Sequence, residues 1–123
     1  MDVGQSTADA LWQQAGDGTF RMEPEAAQKC ADIFQRFATT TLDQQIGRSL
    51  DLHSLSGFGG FDSAKELQKG FEGKGQSLTE ALRGMRAAAL KMAAAYLRAG
   101  QLLTAADEMN GQAIAAQNGV NNA

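Results

Sequence analysis

Proline, cysteine and histidine each occur once in the 123 residues, and residues that favour β-strands are also scarce. Three isoleucines, two valines and one tyrosine stand against many alanines, leucines and glutamines, which are good helix formers. Because Pro24 is the only proline, the rest of the chain permits helices of thirty residues or more. The composition therefore predicts a single all-α protein.

The shortage of reactive side chains limits the chemistry that the chain can perform. Cys30 is alone, so no internal disulfide can form, and it lies among apolar helix positions where a thiol packs as a small hydrophobe. His53 stands at the end of a helix, where a cation complements the helix dipole. Without clustered metal ligands or paired carboxylates, the sequence predicts no enzyme, no metal site and no cofactor.

Positive charge is also in short supply, since the formal net charge is −3. Nucleic acids and anionic lipids both require clustered positive charge, so neither is an expected partner. The N-terminus carries acids and no apolar segment of the kind found in cleavable signal peptides. No run is long enough to span a bilayer, and no small-molecule substrate is indicated.

Three parts follow from the helical pattern. Residues 1–22 form an extension with a short helix, which begins after Ser6 or Thr7 and ends at Gly16-Asp17-Gly18. Residues 23–111 form an antiparallel hairpin of two long helices with a turn at about 54–61. Residues 112–123, rich in Asn, Gln and Ala, are predicted to be a flexible, disordered tail.

The first long helix begins at Glu23-Pro24-Glu25, where proline suits the first turn and carboxylates oppose the dipole. Its large apolar residues recur every three or four positions, which predicts one buried face. These residues are Ala26, Cys30, Ile33, Phe34, Phe37, Leu42, Ile46 and Leu50.

The second long helix admits two interpretations. A capping box at Ser77-Leu-Thr-Glu80 allows a new start after a break near Gly73, whereas an unbroken spacing of three and four from Phe71 to Ala106 favours one helix to about Gly111. We prefer the single helix. It would be much longer than the first, so its part beyond about residue 93 would project past Pro24, where the N-terminal helix with Trp12 could cover it.

An alanine-rich stretch, residues 87–95, allows neighbouring helices to approach on several sides. Two helices of one hairpin would leave part of it uncovered, which predicts association with another helical hairpin, although a third internal helix is the alternative. The candidate partner-interface residues are Phe34, Phe37, Leu82, Met85, Ala89, Met92 and Tyr96.

The turn between the long helices contains Gly57, Phe58, Gly59, Gly60 and Phe61, with the two phenylalanines as its expected hydrophobic plug. A helix, a Gly-aromatic-Gly turn, a second helix and a short tail resemble the Trp-x-Gly hairpin proteins exported by the type VII (ESX-type) secretion systems of actinobacteria. The resemblance spans roughly 23–111, and the stretch 57–74 is similar to the divergent, secretion-associated branch. Phe58 and Phe61 stand where typical members carry Trp-x-Gly.

The resemblance implies a non-enzymatic secretion substrate or co-secreted helical partner, made in the cytoplasm and then secreted or held at the cell surface. Its partner would be another hairpin protein, as a homo- or heterodimer, or the helical N-terminal region of a type VII effector. The family's export signal is Tyr-x-x-x-Asp/Glu, so Leu103 and Asp107 are the implied positions read by the secretion machinery. The alternative is a cytosolic adaptor or chaperone for a larger type VII toxin or effector.

Overall fold

The computed structural model describes residues 1–121, and the all-α prediction is confirmed. Its helices are α1 (Gln5–Asp17), α2 (Pro24–Arg36), α3 (Asp43–Leu50), α4 (Asp62–Ala99) and α5 (Leu103–Asn121). A π-helical segment, Phe37–Leu42, joins α2 to α3, so that residues 24–50 form one continuous rod. With 38 residues, α4 is about 57 Å long and is the longest of these helices.

Four helices pack around the long central helix α4. Each of α1, α2, α3 and α5 contacts α4, but within residues 1–121 no Cα atom of α1, of the α2–α3 rod or of α5 lies within 8 Å of another of these three. The rod runs antiparallel to α4: Met22 N–H donates to Ala99 O at 3.1 Å, whereas Asp43 pairs with Arg86 near the middle of α4. The helices therefore use α4 as their common partner.

The second half of α4 is buried on most of its sides. Leu90 and Leu97 are the largest side chains that are fully buried, and most of the remaining core is alanine. Methyl groups keep interhelical distances short, so three neighbours can surround one helix. The alanine stretch is covered from within the chain by α1, α2 and α5, which corresponds to the internal-helix alternative.

The predicted buried face of the first long helix is partly wrong. Ala27, Ala31 and Ala38 are buried against the core, whereas Ile33 is 58% exposed and Phe37 is 42% exposed. The reason is close packing, because α2 lies so near to α4 that methyl-sized side chains fill the space. The π-helical segment adds to the difference, since it shifts the phase of every residue that follows it.

The prediction of one continuous helix to Gly111 is wrong, because α4 ends at Ala99. The stop is a Schellman motif, in which Leu102 N–H donates to Leu97 O at 2.9 Å and Gln101 N–H donates to Arg98 O at 3.0 Å. Gln101, with φ 62°, occupies the left-handed position that glycine usually takes. A Cβ at Gly100 would overlap with the Cβ of Ala27, so the chain passes very close to α2 as it reverses.

The predicted disordered tail is also wrong for residues 112–121, which are helical, while residues 122–123 of that prediction lie outside the described part. After the reversal, α5 runs back along α4 rather than projecting past Pro24. Ala106, Met109 and Ala113 are its buried residues. A composition poor in large apolar groups suffices here because α5 meets a face of α4 that is itself built from alanine.

The N-terminal helix begins at Gln5, one residue before the predicted caps. Asp2 supplies the capping oxygens, accepting hydrogen bonds from the Ser6 hydroxyl and from the N–H groups of Gly4 and Ser6. These hydrogen bonds lower the pKa of Asp2. The helix ends at Asp17, and Gly18 adopts φ 93°, as the Gly16-Asp17-Gly18 stop predicts.

Candidate functional site

An open groove between α1 and α2, with α4 as its floor, is the main concave apolar surface near the predicted interface residues. We name it the base groove; its volume is about 370 Å³. Its lining residues are Val3, Gly4, Thr7, Phe34, Phe37, Met85, Ala88, Ala89 and Met92. None of them carries a charge, which makes this a surface for apolar contact.

The base groove exists because α1 and α2 both pack against α4 without meeting each other. Gly4 lies against Ala88, so that the N-terminus of α1 is held close to the floor. On the opposite wall, Phe34 and Phe37 project from the rod, and Phe37 belongs to the π-helical segment. Flexible methionine side chains at positions 85 and 92 form part of the floor, and such residues adapt readily to different apolar partners.

Five of the seven predicted interface residues line the base groove: Phe34, Phe37, Met85, Ala89 and Met92. The contribution of α1 was missed, because nothing in the sequence pairs Val3, Gly4 and Thr7 with α4. Ala88 was not predicted either, because it is adjacent to Ala89 and does not belong to the series of residues spaced by three and four.

The remaining two predicted interface residues lie elsewhere. The ring of Tyr96 stacks on Phe34, with centroids 5.5 Å apart, and meets Phe20 edge-on at 5.7 Å. Tyr96 is thus engaged in internal packing that fixes one wall of the base groove. Leu82 is half-buried and does not line the base groove.

Trp12 anchors α1 to α4 as a packing residue. The Arg98 guanidinium carbon lies 4.3 Å from the centroid of the indole ring and the Lys91 ammonium lies 4.6 Å from it. Arg98 Nη1 also donates to the Trp12 carbonyl at 3.0 Å. Burial lowers the pKa of Lys91, although the nearby Asp9 carboxylate acts in the opposite direction. The two cations therefore hold Trp12 through cation–π contacts, which leaves it unsuited to bind a ligand.

A small polar cluster holds the end of α3 against α4. The Thr79 hydroxyl lies 2.6 Å from the Ser49 hydroxyl and 2.7 Å from His53 Nε2, and it lies 3.2 Å from Gly75 O. The Ser49 hydroxyl also reaches Ile46 O. The Ser49 and Thr79 hydroxyls have one proton each, so together they can donate in at most two of these four contacts. A proton on His53 Nε2, donated to the Thr79 hydroxyl oxygen, makes a third contact a hydrogen bond.

This cluster contains the kinds of side chain that nucleophilic catalysis uses, but its geometry favours a structural role. Ser49 and Thr79 are only 2% and 4% exposed, so a substrate has no access to either hydroxyl. His53 lies three residues beyond the end of α3 at Leu50, rather than at the helix end as predicted, and its ring contacts Thr79 of α4.

The glycine-rich turn places one of its two phenylalanines against α4. Phe58 stacks on Phe71 with centroids 6.1 Å apart, whereas Phe61 is 82% exposed and does not act as a plug. Gly57 and Gly59 adopt φ 88° and 97°, which explains why glycine is needed at both positions. A Cβ added at Gly60 would meet no atom within 4 Å, so the turn is open on that side.

A second apolar surface runs along the first half of α4, and we name it the tip stripe. It consists of Leu67, Phe71, Lys74 and Leu78, which are spaced by four, three and four residues and so share one helix face. Between this stripe and the turn lies a groove of about 400 Å³, which is lined by Leu52, Leu55, Phe58, Phe71, Lys74, Gly75 and Leu78.

Leu103 and Asp107 lie one turn apart at the start of α5, and both are exposed. Their spacing of four places them on the same helix face. Neither residue lines the base groove, and over residues 1–121 no Cα atom of α5 lies within 8 Å of α1 or of the α2–α3 rod.

Within residues 1–121, no group of three or more His, Cys, Asp or Glu side chains is arranged to hold a metal ion. Over the same residues, no helix combines the length and apolar character needed to cross a membrane. Comparisons of the chain with protein-family models, with curated proteins and with solved structures find no match.

Proposed function

We propose that this protein is a non-enzymatic type VII (ESX-type) secretion substrate, or a co-secreted helical partner, that acts through helix–helix association. The base groove carries this proposal. It is uncharged and open, and it contains five of the residues that the heptad-like spacing assigns to a partner. The resemblance of residues 23–111 to the Trp-x-Gly hairpin proteins is the reason for proposing the type VII system as the secretion route.

The chemistry of the base groove favours one kind of partner. An amphipathic helix binds an apolar groove with residues at i, i+3, i+4 and i+7, and methionines in the floor adjust to their shapes. Such a partner helix is expected from a second hairpin protein or from the helical N-terminal region of a type VII effector. Leu103 and Asp107, exposed on α5, remain available to the secretion machinery when the base groove is filled.

Co-expression with the product of the adjacent gene tests the proposal. We expect a stoichiometric complex that survives gel filtration, and both proteins in the culture filtrate of a strain with a working type VII system. Phe37→Glu places a charge at the wall of the base groove and should weaken the complex at least about tenfold, a loss of about 1.4 kcal/mol.

Ile114→Glu is the matched control, because Ile114 is 50% exposed on α5 and Phe37 is 42% exposed. It should leave the complex unchanged. Asp107→Ala tests the export positions separately, with complex formation intact and export reduced if this chain carries the signal. A complex that forms while this protein stays in the cells and its partner is exported would instead support the adaptor.

A further inference from the structure

Both methionines of α4 lie in the floor of the base groove. Met85 and Met92 are seven residues apart, so they share one helix face and are separated by about 10 Å along the axis. Both side chains are half-buried, and the open groove above them has a volume of about 370 Å³. A molecule as small as a peroxide therefore reaches them without unfolding of the protein.

We propose that Met85 and Met92 are sites of reversible oxidation by hydrogen peroxide, and that their oxidation closes the base groove to apolar ligands. Each thioether sulfur attacks one peroxide oxygen, so that an S–O bond forms, the O–O bond breaks and water leaves. The sulfur loses two electrons and the peroxide gains them. A methionine sulfoxide reductase restores the thioether, with two thiols supplying the electrons and the oxygen leaving as water.

The lining of the base groove makes a sulfoxide unfavourable beneath a bound partner. A sulfoxide is polar, and its oxygen accepts hydrogen bonds. Among the lining residues only Thr7 has a side-chain donor, and its single hydroxyl proton serves at most one of the two sulfoxide oxygens. An apolar helix that docks on the groove removes water from the other oxygen without replacing it. Oxidation of both methionines should therefore weaken apolar binding at least about tenfold.

The other methionines of the chain provide internal references. Met109 is 8% exposed and belongs to the core between α4 and α5, so peroxide should oxidise it much more slowly than the two groove residues. Met1 is 77% exposed and Met22 is half-buried, but neither lines the base groove. Their oxidation should leave the groove apolar, so the position of the oxidised methionine decides the effect.

This inference rests on the proposed function only for the identity of the partner. If an amphipathic helix occupies the base groove, oxidation of the free chain prevents its uptake and reduction allows it again. The bound helix covers the floor of the groove, so the complex should be oxidised at Met85 and Met92 more slowly than the free chain. The base groove thus becomes a docking surface that responds to peroxide.

Binding of the uncharged apolar dye Nile red to the purified full chain tests the inference without a partner. Phe37→Glu, at the wall of the base groove, defines the share of the dye signal that arises there. After peroxide treatment, peptide mass mapping should find oxygen on Met85 and Met92 before Met109. The dye affinity of the base groove should fall at least about tenfold and return after treatment with a methionine sulfoxide reductase and dithiothreitol. Circular dichroism should show that the helices persist throughout.

A double variant, Met85→Leu with Met92→Leu, separates the groove from the remaining methionines. Leucine is apolar, similar in volume and inert to peroxide, so dye binding of this variant should be the same before and after treatment. Met22→Leu is the matched control and should stay as sensitive to peroxide as the natural chain.

The proposal would be overturned by any of four results: no Phe37-dependent dye binding before treatment, unchanged binding with oxygen on both groove methionines, loss of binding in the double variant, or equally fast oxidation of Met109. A chain that meets every expectation with the dye, yet forms no complex with the product of the adjacent gene, would refute the proposed function alone.

Discussion

In the base of the molecule, over residues 80–99, α4 is covered by α1, by the α2–α3 rod and by α5. In the tip, over residues 62–79, its neighbour within the described chain is the segment that ends α3 and forms the turn. Both parts of α4 have apolar residues spaced by three and four. In the base most buried positions are alanine, and in the tip the large residues Leu67, Phe71 and Leu78 remain exposed.

The difference between base and tip shows what sets the number of neighbours that a helix takes. Periodicity determines which face is apolar, but side-chain size determines how closely a neighbour approaches and how many neighbours fit. Alanines at 87–89 and 93–95 allow three helices to surround α4. Leucine and phenylalanine in the tip cover more area each and leave it open to another molecule.

The largest loss of stability is expected from a substitution in the buried base, and the matched substitution in the tip should have a much smaller effect. Leu97→Ala removes one of the two largest fully buried side chains and should lower the free energy of unfolding by about 2–5 kcal/mol, because the rigid alanine surroundings collapse poorly into the cavity. Leu78→Ala, at a half-exposed tip position, should cost less than about 1 kcal/mol. Urea unfolding at a concentration where the protein is monomeric measures both values, and equal losses would contradict the comparison.

Substituting one glycine in the base and one in the tip by alanine tests the same comparison. Gly100→Ala forces a methyl group into Ala27 at the rigid junction of α2 and α4 and should destabilise by about 1–3 kcal/mol. Gly73→Ala, in the tip, meets nothing and should stabilise by up to about 1 kcal/mol through helix propensity. Thermal unfolding followed by circular dichroism gives the sign of each change. Stabilisation by Gly100→Ala would show that the base is looser than its packing indicates.

The smallest effect concerns the reversal after α4. Gln101→Gly should stabilise the protein by about 0.5–1 kcal/mol, because glycine adopts the left-handed conformation of this position without the steric cost that a Cβ imposes. Gln101→Ala keeps the Cβ and serves as the control, with little change expected. If Gln101→Gly instead destabilises the protein, the contacts of the glutamine side chain stabilise the fold by more than its left-handed backbone conformation costs. The midpoint of urea unfolding resolves the difference.

How much of the fold could be predicted differs between these regions. The start of the first long helix at Pro24 and the stop at Gly18 follow from local chemistry and are observed. The end of α4 was missed because the left-handed residue of its Schellman motif is Gln101 rather than a glycine. The ordered α5 was missed because its stabilisation comes from alanine contacts with α4, which its own composition does not reveal.

The candidate site was predictable on one side only. The spacing along α4 and the rod identified Phe34, Phe37, Met85, Ala89 and Met92, because residues three and four apart share a helix face. The wall formed by Val3, Gly4 and Thr7 depends on where α1 docks, and no local pattern specifies that. The separation of Tyr96 from the groove likewise depends on its stacking with Phe34 and Phe20.

By itself the sequence determined the helical class and the position of the turn near Gly57, because helix propensity and turn chemistry act within a few residues. Only the tertiary structure decided that α4 ends at Ala99, that α5 returns along it and that α1 and α2 leave a groove between them. These outcomes depend on how closely alanine-faced helices approach each other, which is a property of pairs of helices distant in the chain.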